Sequence, residues 1–331
     1  MLKPVPSDPV NDGRLENVFM FSGQGSQYFH MGRELFERNS TFHEWMLRLD
    51  DIVQRSSGRP VTEALYCSAH NKHDVFDRTL LTHPAIFMVE YSLAQTLIEA
   101  GVWPDIVLGV SLGTFAAAAV AGFIGVEDAL TAVLQQATAL EEWCEPGGMT
   151  AILAAPALFT EDFLSRSELA AINFSSHFVV SAKNAELAEI EAELKKRAIG
   201  YQRLPVSFPF HSQWIEKAKA PFVSFMRSVQ RRPGQLPLAC SDQTIVVSEL
   251  SDDYFWNVVR HPIRFRETTA RLEQEGARRY IDVGPSGTLA TFLKYWMPAT
   301  AKRVHTILTP FGLDQKNLAA LLEKLGMTTA Q

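Results

Sequence analysis

An α/β fold with a mainly parallel sheet, interrupted by a small ferredoxin-like unit, is what this sequence predicts. Three observations point to it. Short apolar runs bounded by glycines alternate with longer segments at helical spacing in both halves of the chain. Between residues 147 and 208 the pattern changes to strand, helix, strand, strand, helix, strand. With 331 residues, 47% of them hydrophobic and 21% charged, the chain can bury a large core and is neither disordered nor collagen-like.

The elements follow in order. Residues 1–16 read as an N-terminal arm: three prolines and no apolar stretch of the kind a signal peptide needs. Val18–Ser22 is a short apolar run that ends at Gly23-Gln24-Gly25-Ser26-Gln27, the mark of a buried strand. Helices are predicted around Gly32–Arg38 and over Thr41–Arg55. Another is predicted over Pro84–Ala100, with Pro84 at a first-turn position and Gly101 at the C-terminal end. Ile106–Gly109 reads as a strand, followed by an Ala-rich helix from Leu112 and a further helix over Val126–Cys144.

The pattern changes at Pro146-Gly147-Gly148. Strands Met149–Ala154, Leu169–Phe174, Phe178–Ser181 and Tyr201–Val206, with helices Thr160–Ser167 and Ala185–Arg197, make the ferredoxin-like order. After Pro209 the first pattern resumes, with helices Ile215–Arg231 and Phe265–Glu275, strand Arg279–Val283, helix Leu289–Trp296 and a last helix Gln315–Leu325. The expected organisation is a large domain from residues 17–146 and 209–325 and a small one from residues 147–208.

Charge and cysteine content narrow the function. With 31 basic and 37 acidic side chains the net charge is −6, which lacks the basic footprint of a general nucleic-acid binder. Cys67, Cys144 and Cys240 are odd in number and far apart, which suits free thiols in a reducing cytoplasm. No histidine pair has an HExxH-like spacing, which argues against a metal site. Residues 106–126 carry no charge. A membrane helix needs about 20 such residues, but glycines and a serine interrupt this run.

That serine is the strongest chemical signal. Gly109-Val110-Ser111-Leu112-Gly113 fits G-x-S-x-G, a sharp strand-to-helix turn that exposes a nucleophilic hydroxyl. The helix start then offers free N–H groups to a developing oxyanion. Of the nine histidines, His211 lies where the chain leaves the small unit, a usual place for a cleft. His83 competes, next to Pro84. The Gly23–Gln27 loop lacks the P-loop residues, and its amides suit a second oxyanion donor.

Phe21–Gln27, Gly109–Gly113, Pro209-Phe210-His211-Ser212 and Asp282-Val283-Gly284-Pro285 follow one another in this order. Together they resemble the malonyl-CoA:acyl carrier protein transacylase family, including polyketide synthase acyltransferases, over nearly the whole chain. The resemblance implies an α/β-hydrolase-like large domain with a ferredoxin-like insert. It implies Ser111 as nucleophile, His211 as base held by a backbone carbonyl, and the amides of Gln24 and Leu112 as the oxyanion hole. It implies an acyl carrier protein as partner, an acyl-phosphopantetheine or acyl-CoA thioester as substrate, no cofactor, no membrane and a monomer.

The departures from the family pattern are informative. The helix that should carry an Arg for the malonyl carboxylate has Gln136 instead. Leaving a buried carboxylate without its partner costs roughly 3–5 kcal/mol. Val110 precedes the nucleophile where His is usual, Thr114 replaces a usual Glu, and Phe208-Pro209-Phe210-His211 matches neither common substrate signature. Gln136, Val110, Phe208 and Phe210 therefore suggest a neutral, apolar substrate pocket. This combination resembles the stand-alone acyl hydrolases of trans-acyltransferase polyketide pathways. A transacylase and a non-catalytic carrier-binding module are the alternatives. Docking of a carrier would rest on local cations such as Lys195-Lys196-Arg197, Arg231-Arg232 or Arg264 and Arg266.

Overall fold

The computed structural model describes residues 14–327. The expected N-terminal arm lies outside the described residues up to residue 13. The strands are β1 (Glu16–Phe21), β2 (Ile106–Gly109), β3 (Gly147–Ile152), β4 (Glu168–Phe174), β5 (His177–Lys183), β6 (Tyr201–Arg203), β7 (Leu238–Cys240), β8 (Ile245–Val247), β9 (Arg278–Asp282) and β10 (Val304–Thr306). Six of them form one sheet in the order β10–β9–β1–β2–β7–β8, parallel except for the edge strand β8.

Both faces of this sheet are covered. Along β1, Phe19 and Phe21 point to one core and Val18 and Met20 to the other, the period-two alternation of a strand. The first core includes the helices Ser40–Ser57, Thr79–Glu99, Gly113–Val120 and Val126–Trp143; the second includes Phe265–Glu275 and Thr288–Trp296. Burial on both sides explains why these strands read as continuous apolar runs.

The other four strands form an antiparallel sheet in the order β4–β5–β3–β6, the ferredoxin-like arrangement. One face packs Ile152, Phe178 and Val180 against Leu187, Ile190 and Leu194 of helix Asn184–Lys196. The opposite face turns toward the large sheet. Ile263 N–H donates to the Ala170 carbonyl at 2.7 Å and ties the two units together.

Several predicted elements are corrected. The helix expected to start at Pro84 begins at Thr79 and carries Pro84 inside it. Its first turn persists because the Leu80 N–H finds Glu141 Oε1 on the neighbouring helix at 3.2 Å. The predicted helix Thr160–Ser167 is two 3₁₀ turns, Pro156–Thr160 and Asp162–Leu164, split by an extended Glu161. The predicted helix Ile215–Arg231 is a 3₁₀ turn, Gln213–Ala218, followed by an α-helix, Lys219–Ser228. Pro221 sits in the first turn of that α-helix, where its missing N–H costs nothing. The uncharged stretch 106–126 divides into β2, a turn at Ser111 and helix Gly113–Val120. Among the described residues no helix is long and apolar enough to cross a membrane.

Candidate active site

The strand order reverses at β1, which has β2 on one side and β9 on the other. In such sheets the crevice opens at the carboxyl ends of the strands flanking the reversal. Phe21 pairs with Gly109 and Met20 with Asp282, so the Ser22–Gln27 loop, the Ser111 turn and the Asp282–Pro285 turn leave the sheet side by side.

The Ser111 turn has the tight crossing that its glycines predict. A Cβ on Gly113 would overlap the Phe21 carbonyl oxygen. Ser111 itself sits at φ 52°, a conformation costing about 1–3 kcal/mol for a non-glycine residue. His211 is also left-handed, at φ 59°, and its N–H is held by the Val259 carbonyl at 2.9 Å. The two strained residues meet: Ser111 Oγ lies 2.9 Å from His211 Nε2.

The tautomer follows from the second contact. His211 Nδ1 is 2.6 Å from the His261 carbonyl oxygen, which can only accept. Nδ1 therefore carries the proton, and Nε2 presents its lone pair to the Ser111 hydroxyl. Burial is the main force lowering the His211 pKa to about 4; the His261 carbonyl opposes it, and Arg260 and His261 add to it. The imidazole is thus neutral and ready to accept a proton at neutral pH.

The Gly23–Gln24 turn lies against this pair. A Cβ on Gly23 would come within 2.9 Å of Ser111 Cβ and 3.5 Å of the Leu112 nitrogen. Among the described residues neither the Gln24 nor the Leu112 N–H is used in a backbone hydrogen bond. The Gln24 side chain turns away and donates to Thr82 Oγ1 at 2.8 Å.

A cleft of about 440 Å³ opens over Ser111 and His211. The large unit supplies Gln24, Val110, Phe210, Phe292 and Phe311; the small sheet supplies Met149, Ala151, Ala171 and Val179 from its unpacked face. No Asp, Glu, Lys or Arg among the described residues lines it. Asn173 and His177 give the outer wall a polar spot, with Asn173 Nδ2 3.0 Å from His177 Nδ1. His177 starts β5 and its ring lies 5.4 Å from that of Phe292 in the large unit, a contact between distant segments that has no local signature in the sequence.

Not every predicted pocket residue lies on this wall. The side chain of Leu112 is in the core, as suits a residue expected to contribute only its amide. Phe208 faces a separate shallow depression with Asp77, Thr79 and Cys144. The Phe210 N–H donates to the Phe208 carbonyl at 3.0 Å, a tight turn over Pro209 that leaves the two rings edge to face, 6.4 Å between centroids, with only Phe210 on the cleft. Gln136 is 1% exposed on the inner face of its helix, and neither amide atom has a partner among the described residues. Among those residues no cluster of three or more His, Cys, Asp or Glu side chains is placed to hold a metal ion.

The candidate docking cations are mostly engaged within the chain. Lys196 and Arg197 pair with Glu193, Arg231 with Asp252, and Arg266 lies over the Trp296 ring at 4.0 Å.

Fold and geometry together describe a serine–histidine pair on an α/β scaffold with a ferredoxin-like insert. Residues 18–328 match the acyl transferase domain family, and the chain belongs to it. It is 44% identical to the polyketide biosynthesis acyltransferase homolog BaeD of Bacillus velezensis, over 93% of this chain and 96% of that one. It is also 44% identical to the homolog PksD of Bacillus subtilis, over 91% and 94%. A loading acyltransferase from the avermectin polyketide synthase superposes with a TM-score of 0.84 at 27% identity, over 94% of this chain and 99% of that one. The MCAT of Streptococcus pneumoniae shares the fold, with a TM-score of 0.76 at 24% identity, over 93% and 100%.

Proposed function

We propose that this chain removes short, uncharged acyl groups from stalled acyl carrier proteins of a polyketide pathway, through an acyl-enzyme on Ser111. In this reading Ser111 Oγ attacks the thioester carbonyl while His211 Nε2 takes its proton. The amides of Gln24 and Leu112 receive the oxyanion. The carrier thiol leaves with the proton from His211. His211 then deprotonates a water, which attacks the acyl-serine; the acyl–oxygen bond breaks, the acid is released and His211 returns the proton to Ser111 Oγ. No step needs a metal or an organic cofactor.

The observation that carries the reading is the uncharged lining of the cleft above the Ser111–His211 pair. A malonyl carboxylate would find no cation on that wall, and Gln136 stands where the family pattern has its Arg. Passing the acyl group to a second thiol instead of water is the other reading, favoured by the acyltransferase names of the relatives. A non-catalytic carrier-binding role is disfavoured by a serine held at hydrogen-bond distance from a neutral imidazole.

The test is to supply acetyl-, propionyl- and malonyl-loaded carrier protein and follow the carrier by mass. Release of acetate and propionate should exceed release of malonate by a factor on the order of hundreds. Fast malonyl transfer to free carrier, with little acetyl hydrolysis, would falsify the reading. A cytoplasmic, monomeric protein belongs to the same proposal.

A further inference from the structure

Two features beside the site take no part in the chemistry above. One is Glu90, a carboxyl on helix Thr79–Glu99 with no exposed surface. The other is the Asp282-Val283-Gly284-Pro285 turn, prominent in the sequence. They meet at Ser22, the first residue after β1.

Glu90 Oε1 accepts the Ser22 N–H at 2.6 Å and lies 2.9 Å from Ser22 Oγ. Ser22 Oγ is 3.0 Å from Ser26 Oγ, which donates to the Gly23 carbonyl at 2.7 Å. These contacts close a ring around the Gly23–Gln24 turn. On the other side, Asp282 accepts the N–H groups of Gly284 at 2.9 Å and Ala290 at 2.8 Å. That pins Gly284 against Ser22, where a Cβ would overlap the Ser22 hydroxyl. Above, the Val110 N–H donates to the Phe21 carbonyl at 2.9 Å, so the turn bearing Ser111 rests on the same peptides.

A buried carboxyl is costly, and one that neither lines the cleft nor pairs with a base calls for a role. Burial holds Glu90 well above the usual carboxylate range, two bonds from Ser22 oppose this, and Asp282 adds to it. A neutral acid still accepts the two Ser22 contacts through its carbonyl oxygen.

We propose that Glu90, braced by the Asp282–Gly284 turn, is a positioning residue: it fixes the Ser22 peptide and thereby holds the Gln24 N–H at the Ser111 turn. This rests on the acyl-enzyme reading, in which that N–H receives the oxyanion.

The test uses the full chain and 4-nitrophenyl ethyl methylphosphonate. Ser111 Oγ would form a bond to phosphorus as the bond to nitrophenolate breaks. The serine proton passes to His211, and charge grows on the phosphoryl oxygen. The release rate is read per titrated Ser111, with melting curves and the KM for acyl carrier alongside. Deleting one oxyanion donor costs about 10²–10³ in rate, so displacing it in Glu90→Leu should cost roughly 30-fold at unchanged KM. Glu90→Gln keeps the acceptor and should stay within about threefold, and Ser22→Ala should lose about fivefold.

A purely structural role would lower the melting temperature and the titratable fraction but leave the rate per site alone. Folded Glu90→Leu protein reacting at the wild-type rate overturns the proposal, as does Glu90→Gln reacting as slowly as Glu90→Leu. If Glu90→Leu does not fold, Ser22→Ala decides, and a wild-type rate there overturns it. Wild-type protein no faster than Ser111→Ala would instead sink the acyl-enzyme reading itself.

Discussion

His211 and His83 are both buried histidines within reach of Phe210, yet they differ in every respect that matters for chemistry. His211 uses both ring nitrogens, one on a carbonyl and one on a serine. His83 uses neither among the described residues and packs only obliquely on the Phe210 ring, 5.6 Å between centroids. Burial lowers both, His211 to about 4 and His83 to about 3. Desolvation alone therefore does not make a general base. What distinguishes His211 is a fixed tautomer and a hydroxyl at hydrogen-bond distance.

The comparison breaks first, and by the largest margin, at the paired residues. Ser111→Ala should lower thioester hydrolysis by about 10⁴-fold or more, and His211→Ala by about 10³–10⁴-fold, without adding their losses in the double variant. Both should melt cooperatively. Additive losses in the double variant would show that the two side chains do not act as a unit.

Gln136 belongs to the unpaired side of the comparison. Gln136→Arg places a cation at a 1% exposed position where the amide has no hydrogen-bond partner among the described residues. The apo protein should lose about 3 kcal/mol of stability. If position 136 governs acyl charge, malonyl turnover should rise about tenfold relative to acetyl, since the carboxylate supplies the missing partner. Lower stability with an unchanged acyl preference would make Gln136 an ordinary core residue.

Local features were legible in the sequence and long-range ones were not. The Ser111 turn could be read because strand, glycines, serine and helix lie within one short segment. His211 could be placed only at a domain junction, because its serine is 100 residues away in sequence. Glu90 gave no signal, since Ser22 lies 68 residues before it. Strands β7, β8 and β10 are three residues each, too short to show alternation. The two-sided burial of β1 and β2 had the opposite effect, leaving apolar runs that marked the parallel sheet plainly.

The pH profile sharpens the same contrast. His211 must be neutral to accept the Ser111 proton, and its pKa lies near 4. For kcat/KM the acid limb should therefore fall near pH 4, with a flat region through pH 7. An acid limb near the ordinary histidine value of 6.5 would mean that the base is reached by solvent before substrate binds.

The smallest expected effect on catalysis is at His83. His83→Leu removes two buried nitrogens without partners and keeps an apolar contact with Phe210, so kcat/KM should stay within about threefold. The stability effect has a definite sign with pH. Unfolded His83 takes up a proton below its ordinary value of 6.5, whereas the folded side chain refuses one until about 3. The unfolded chain binds more protons in that window, so wild-type stability falls as pH drops through it. At pH 5 this term amounts to about 2 kcal/mol, which the leucine variant escapes. The variant should match the wild type at pH 7 to within about 2 °C and melt several degrees above it at pH 5. A variant that loses both stability and turnover at pH 7 would show that His83 has a partner in the working enzyme, and would bring it into the site with His211.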